Sequence, residues 1–525
     1  MAYRVILAFV LSLLVILAYD YFFARKQQPR QQPPQQFQKK VERIENHPKP
    51  PKVPVPQRAA KTDCGRDIIV STSLYQATFC ENGGYLKAFS LKKYREGVDP
   101  DSPPKRIILA KDAQPLSLRF LNTKLNKVSY SCSKDRLEVK GGKAQLCFII
   151  SSPSLLIKKI YTFYPDKYYF DLNIILENKG KDIFKDSLAL SLANRWPQGR
   201  RYDFRGAIFF LNDRFKSLKQ KKIKDGDFFV GRIKWLGLSD KYFMTTIVNK
   251  TFERASFVLK THSEKLSCEF LTPPITLKQG EERAIPFLVY IGPKEIDRLK
   301  ALGLNLDKAV NFGFFDSISK ILLYVLKWFY KFTHNYGIAI IVLTFVIKIL
   351  FWPLTHQSYK SMKDMQRLQP QIAKIRQRYK NDKVRMNQEI MNLYRTYKVN
   401  PMGGCLPIIL QIPVFFALYY VLIYAIELRH APFITYFPFT KKIWLADLSA
   451  KDPYYITPIL MGISMVVQQK LTPSSVNPTQ EKLMLFMPIF FTIIFLNFPS
   501  GLVIYWLVNN VLSIIQQVYI NRRFK

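Results

Sequence analysis

A lysine stands inside an apolar run. Tyr336 to Leu354 reads YGIAIIVLTFVIKILFWPL, long enough to cross a bilayer, and it carries Lys348. On insertion scales such a charge costs about 2.5–3.5 kcal/mol, so a span that keeps one turns it toward a protein interior or a wet cavity. Lys348 is therefore a candidate for function. The plainer alternative is snorkelling: at about 1.5 Å per residue the charge lies ~10 Å from Thr355, within reach of a headgroup for so long a stem. Thr344 sits one turn earlier on the same face. The other polar residues in apolar stretches are Gln411, Gln468, Gln469, Thr492, Asn509, Asn510, Gln516 and Gln517. Each taken singly is ordinarily interhelical glue, worth on the order of 1 kcal/mol. No acidic residue lies deep in these stretches, so no buried ion pair accounts for Lys348. A hydrated groove with a polar lining, Asn509 and Gln516 included, would keep the ammonium solvated.

Little else in the chain offers chemistry. There is no GxxxxGK[ST] loop, no HExxH, no GxSxG and no pair of intramembrane carboxylates, so no catalytic residue, cofactor or enzymatic activity is expected. Six cysteines and five histidines are scattered without a CxxC pair, which leaves no metal site. A formal net charge of +41 suggests nucleic acid at first sight. The basic residues, however, are spread through apolar spans and their flanking loops without a recognition motif. Anionic membrane lipids and membrane topology explain them, and no direct nucleic-acid partner is expected.

The elements that must hold Lys348 follow from pattern. Residues 1–24 contain VILAFVLSLLVILAY and end in YDYFFARK, which offers no small-residue cleavage site; a retained signal anchor is expected. Residues 25–62 are too rich in Gln, Pro and Lys to bury a core and read as a tether. From 63 to 300, runs such as FDLNIILEN alternate with period two between turn clusters such as Asn82-Gly83-Gly84, the pattern of a large extracytoplasmic β-sandwich. Cys64, Cys80, Cys132, Cys147 and Cys268 fall there, where a disulfide is permitted; five is odd, so at least one stays unpaired. Residues 312–335 take helical spacing with Lys320, Lys327 and Lys331 on one face, as a helix in the membrane interface does. Residues 336–525 form the membrane core, with spans at about 336–356, 405–427, 455–471, 483–498 and 502–519. A helical hairpin over 358–400 carries eleven basic residues from Lys360 to Lys398 against Asp364, Asp382 and Glu389, which puts it in the cytoplasm. With the anchor this makes six transmembrane helices, both termini cytoplasmic and the β domain outside.

These residues carry a resemblance. TFVIKILFWPLT at Thr344 to Thr355, LQPQIAKIRQRY at Leu368 to Tyr379, NPMGGCLPIILQIPVFFALYY at Asn400 to Tyr420, DLSAKDPYYITPILMG at Asp447 to Gly462 and FPSGLVIYWLVNNVLSIIQQ at Phe498 to Gln517 resemble the YidC/Oxa/Alb family of membrane protein insertases. Over about the last 200 residues the likeness is dense; the anchor, tether and β domain ahead of them resemble the family's Gram-negative form in architecture. The resemblance implies a multi-span α-helical inner-membrane protein, five of its six spans forming the insertase core, with a periplasmic β-supersandwich domain. It implies insertion of nascent integral membrane proteins, alone or with the Sec translocon and its accessory subunits, through a hydrophilic, positively charged groove. Lys348 takes the place of the family's usual arginine and keeps the charge without the five-donor fork. Thr344 and Gln411 match groove-side positions, and Trp506 an aromatic position near the substrate path. The short C-terminal tail implies at most a weak ribosome contact. Two rivals come from other classes. A solute or proton-coupled transporter with a sensing outer domain would show internal repeats and broken midplane helices, and neither is visible. A carbohydrate-binding or isomerising outer domain would act as a soluble fragment.

Overall fold

Alternation of apolar and polar residues builds the first half of the chain. Leu155–Phe163 and Tyr169–Asn178 bury every second side chain along their whole length, as strands with one covered face must. In the computed structural model these two are interior neighbours in a nine-stranded antiparallel sheet. Its strands run, edge to edge, Arg214–Lys219, Gly206–Leu211, Ile233–Ser239, Phe243–Asn249, Glu282–Pro293, Tyr169–Asn178, Leu155–Phe163, Ala144–Ser151 and Ser129–Cys132. Two five-stranded sheets pack on it through aromatic contacts, one through Phe79 against Tyr161 and Phe163, the other through Phe257 against Phe209. The structure describes residues 64–109, 114–125, 128–196, 204–262, 264–397, 399, 406–471 and 478–523. The expected anchor and tether lie outside the described residues.

Cys64 and Cys80 form a disulfide, while Cys132, Cys147 and Cys268 are free thiols. One polar residue breaks the buried face of Leu155–Phe163: Lys159 is fully buried. Its Nζ donates to the carbonyls of Gly83 at 3.0 Å, Gly84 at 2.6 Å and Leu116 at 2.7 Å. Gly84 and Leu116 both take left-handed backbone, and the Gly84 carbonyl accepts also from the Tyr161 hydroxyl at 2.8 Å.

The chain leaves the β domain at Pro293 and becomes helical. The ten helices among the described residues begin with α1 (Ile296–Ala301) and α2 (Asp316–Thr333). α2 buries Ser319, Leu322, Leu323 and Leu326 and leaves Ile321, Tyr324, Trp328 and Phe332 exposed on a second apolar face. Two of its three lysines are partnered: Lys320 pairs with Asp316, and Lys327 with both Asp297 and Glu427. Asn335 then caps α3 (Tyr336–Leu350), its side chain accepting from the backbone N–H of Gly337 and Ile338.

The apolar run expected to reach Leu354 as one span does not stay straight. α3 ends at Leu350, and α4 (Trp352–Arg367) departs at 61°. Pro353 supplies the reason: it has no N–H to donate and its ring crowds the carbonyl four residues back, so the chain restarts a helix there. The basic hairpin's first helix thus begins six residues before 358. α5 (Gln369–Arg378) and α6 (Lys383–Thr396) complete it, with Asp382 capping α6.

The remaining helices are α7 (Leu406–Tyr424), α8 (Ile456–Leu471), α9 (Pro478–Phe495) and α10 (Ser500–Arg523). α10 packs on α3 and α8, α9 on α8, and α2 on α3 and α7. Their outward sides remain apolar and exposed: Ile459, Ile463 and Val467 on α8, Ile489 and Ile493 on α9, Val511, Ile515 and Tyr519 on α10. Water would not tolerate faces of this extent, whereas hydrocarbon would. Among the described residues, Ser500–Ile520 is long and apolar enough to cross a membrane alone, and α3 with α4 makes a second span if the bent pair is taken together.

At one end of the bundle, residues 425–455 tie the helix ends together. Asp452 caps α8 by accepting from Thr457 and from the indole N–H of Trp444, and Ser500 and Gly501 at the start of α10 donate to the carbonyls of Ala450 and Leu448. The β domain rests on this layer. Arg429 donates to the Arg95 carbonyl at 2.7 Å and lies over the rings of Tyr242 and Phe243, and Tyr242 Oη donates to Ser449 Oγ at 3.2 Å.

Candidate functional site

Lys348 lies in the last turn of α3, half-buried, facing α10. Its Nζ donates to Ser513 Oγ at 2.6 Å and to Asn509 Oδ1 at 3.2 Å. Ser513 and Asn509 are four apart on α10, so helical geometry stacks them on one face. The Ser513 hydroxyl in turn donates to the Asn509 carbonyl at 2.7 Å. Among the described residues, no carboxylate forms an ion pair with Lys348. The ammonium is therefore held by two neutral oxygens, and it keeps the full attraction of a cation for any carboxylate that could displace them.

The other residues singled out in the sequence do not all converge on it. Thr344 is buried one turn away, and its hydroxyl is occupied by the Ile340 carbonyl at 2.7 Å. Gln411 on α7 donates to Tyr505 Oη at 3.3 Å, joining α7 to α10. Trp506 turns into an aromatic cluster with Phe415 at 5.1 Å and Phe495 at 5.5 Å between ring centres, and its indole N–H is buried without a partner. Gln516 is fully buried, and neither end of its amide is bonded. Asn510 and Gln517 point the other way, donating to Ser464 Oγ and the Leu471 carbonyl, so they fasten α8 to α10. Asn509, Ser513 and Gln516 fall at i, i+4 and i+7 and form one polar stripe down α10.

Sequence reading missed Ser513 and Tyr505. A serine in an apolar helix carries no signal of its own, but its spacing of four from Asn509 could have marked it. Among the described residues no group of three or more His, Cys, Asp or Glu side chains is placed to hold a metal. What the arrangement can do is solvate and present one positive charge inside an apolar bundle.

Comparison with known proteins gives this geometry its setting. Residues 67–325 match the family model described as the YidC periplasmic domain, and residues 328–525 that described as the 60Kd inner membrane protein. The membrane protein insertase YidC of Geobacter metallireducens is 44% identical over 486 residues, covering 89% of this chain and 88% of that protein. The one of Geotalea uraniireducens is 40% identical over 541 residues and covers 99% of both. A crystal structure of an active YidC insertase with its first transmembrane domain resolved covers 88% of this chain and 93% of its own, at 20% identity and a TM-score of 0.38.

Proposed function

Because the chain belongs to the YidC family of membrane protein insertases, we propose that Lys348 is the charge of a polar groove through which it passes its substrates. The protein inserts membrane proteins into the inner membrane and carries a periplasmic β domain; its substrates are nascent membrane proteins. Solute transport is not favoured by these relatives. The reading of the groove rests on one observation: the Lys348 ammonium is held by Asn509 and Ser513, with no carboxylate beside it among the described residues.

A segment with acidic or polar residues meets a high barrier in hydrocarbon. A hydrated cleft whose one cation exchanges neutral oxygens for a passing carboxylate lowers that barrier over part of the path. The segment then leaves sideways, driven by burial of its own apolar area at roughly 25 cal/mol per Å². Thr344, Gln411, Trp506, Asn509 and Gln516 form the wall. In this reading Thr344 and Trp506 shape it, while the amides of Gln411, Asn509 and Gln516 keep it wet. No bond is made or broken by the protein, so no catalytic residue or cofactor is assigned.

The finer arrangement belongs to the same proposal: an anchor at 1–24, a tether at 25–62, a β domain at 63–300, an interfacial helix at 312–335 and a core at 336–525. It gives six spans with both termini in the cytoplasm. The Sec translocon with its accessory subunits is proposed as a partner, and the ribosome as a weak one. The test is insertion of a small two-span substrate into proteoliposomes holding this protein alone, read by protease protection. Lys348→Ala should cut protection of a substrate with an acidic translocated tail by about tenfold and leave a neutral-tailed one within about twofold, the former being the size of one charge-assisted contact. Equal protection of both tails by the variant would remove the charge from the mechanism.

A further inference from the structure

The edge of the β domain carries a basic rim that the groove does not use. Residues 214–224, RFKSLKQKKIK, hold six basic residues and no acidic one. They form the edge strand Arg214–Lys219 and the single turn Gln220–Lys222, and Lys219, Lys221, Lys222 and Lys224 are exposed. Among the described residues none of these four takes part in an ion pair. A run of like charges is ordinarily just a solvated surface; here its register gives it a direction.

Lys219 pairs with Gly206, and Gly206 pairs with Ser239 on the next strand. Ser239 leads into the turn whose Tyr242 touches Ser449 and lies under Arg429. Phe243 beyond that turn pairs with Pro293, where the chain leaves the β domain for the helices. Lys219, Lys221 and Lys222 therefore stand at the end of the sheet that meets the membrane bundle, two strands or about 10 Å to the side of the turn that rests on it. Arg214 and Lys216 lie toward the far end of the same strand. The layer under the turn is at headgroup height by its own composition: the hairpin of Ile434–Tyr436 and Ile443–Leu445 exposes Tyr436 and Phe439 beside Lys441 and Lys442, aromatic and basic residues that favour the membrane interface.

We infer that the membrane-facing end of this edge, Lys219, Lys221 and Lys222, is a contact for the phosphate headgroups of anionic phospholipid in the leaflet beneath it. The lysines lie within about one Debye length, ~10 Å, of the anchored turn, the range over which such an attraction acts. Three flexible ammonium groups with no ion pair among the described residues suit a fluid layer of phosphates, which demands charge and no defined geometry. The inference rests on the reading that the β domain sits in the periplasm over the inner membrane. It adds a second foothold, away from Arg429, that orients the domain on the bilayer.

The test is lysine-resolved acylation footprinting of the full chain in nanodiscs of phosphatidylcholine alone or with phosphatidylglycerol. With phosphatidylglycerol, Lys219, Lys221 and Lys222 should react at least about threefold more slowly, high salt should restore the rate, and Lys216 should not change, since headgroup attraction fades within a Debye length. Equal rates in the two lipids, in discs where the protein still inserts its two-span substrate, would overturn the lipid contact and leave the insertase reading intact. Protection that needs an added acidic protein and not phosphatidylglycerol would overturn it in favour of a protein partner. A Lys219→Glu/Lys221→Glu/Lys222→Glu variant should lose the lipid dependence and keep its folded β-sheet spectrum.

Discussion

A lysine taken out of water has three N–H groups to satisfy, and Lys159 and Lys348 solve this in opposite ways. Lys348 uses two neutral side-chain oxygens, which in the proposed groove a substrate carboxylate would replace. Lys159 uses three backbone carbonyls that cannot move without unmaking two turns. Burial pushes the Lys159 ammonium down to about 7, and three acceptors at once can be met only while the proton stays on. An unfolded chain would hold that proton to about 10.4, so between about pH 7 and 10 the unfolded state binds more protons and stability rises with pH. Lys159→Met should lose this slope and be less stable by roughly 3 kcal/mol, because it strands buried carbonyls. Urea unfolding of both proteins at several pH values reads both effects; parallel pH profiles would show that Lys159 titrates alike folded and unfolded. Lys348 stood out as a candidate in the sequence because a lone charge in an apolar run is conspicuous. Lys159 did not, since a lysine in an alternating strand looks like any solvent-facing residue, and its acceptors lie 43 to 76 residues away.

At the scale of elements, local pattern carried far. Period-two alternation announced the strands and the four-residue spacing of Lys327 and Lys331 announced α2, because each reflects one covered face. Pro353 was an equally local signal for the break between α3 and α4, but the apolar run was expected to continue through it as one span. What pattern could not give is which helices touch, since apolar sides facing lipid and apolar sides facing protein use the same residues. Glycine decides one such contact. A Cβ on Gly462 of α8 would stand 2.1 Å from Thr492 Oγ1 on α9, so these helices approach more closely than any side chain allows. Gly462→Ala should push them apart at about 1–3 kcal/mol. Thr492→Ala, which removes the obstructing hydroxyl, should restore most of the loss in the double variant. Protease resistance of the purified chain on heating measures this; a double variant no better than Gly462→Ala would place the strain elsewhere.

For the molecule as a whole the question is how a β domain made of long-range pairings stays registered on a membrane bundle. The contacts join residues hundreds apart, Arg95 to Arg429 and Tyr242 to Ser449, so no window of sequence could reveal them. They are also few and polar, the kind of interface that lets domains move unless something pins it. Arg429 is the pin: it meets the carbonyls of Arg95 and Glu96 and covers two aromatic rings, and burial lowers its proton affinity without bringing it near neutrality at physiological pH. Arg429→Ala removes two charge-assisted hydrogen bonds and the cation over the rings, a loss of about 2–4 kcal/mol at this interface. Tyr242 to Ser449 and Lys327 to Asp297 remain, so the domain should stay attached while its orientation spreads. Distances between spin labels on the β domain and on α10 should broaden in the variant, with insertion of the two-span substrate within about twofold of normal, because Lys348 and its partners are untouched. A distance distribution as narrow as the wild type's would mean that the remaining contacts fix the domain by themselves. A collapse of insertion with a narrow distribution would mean that Arg429 acts on the groove and not on the docking.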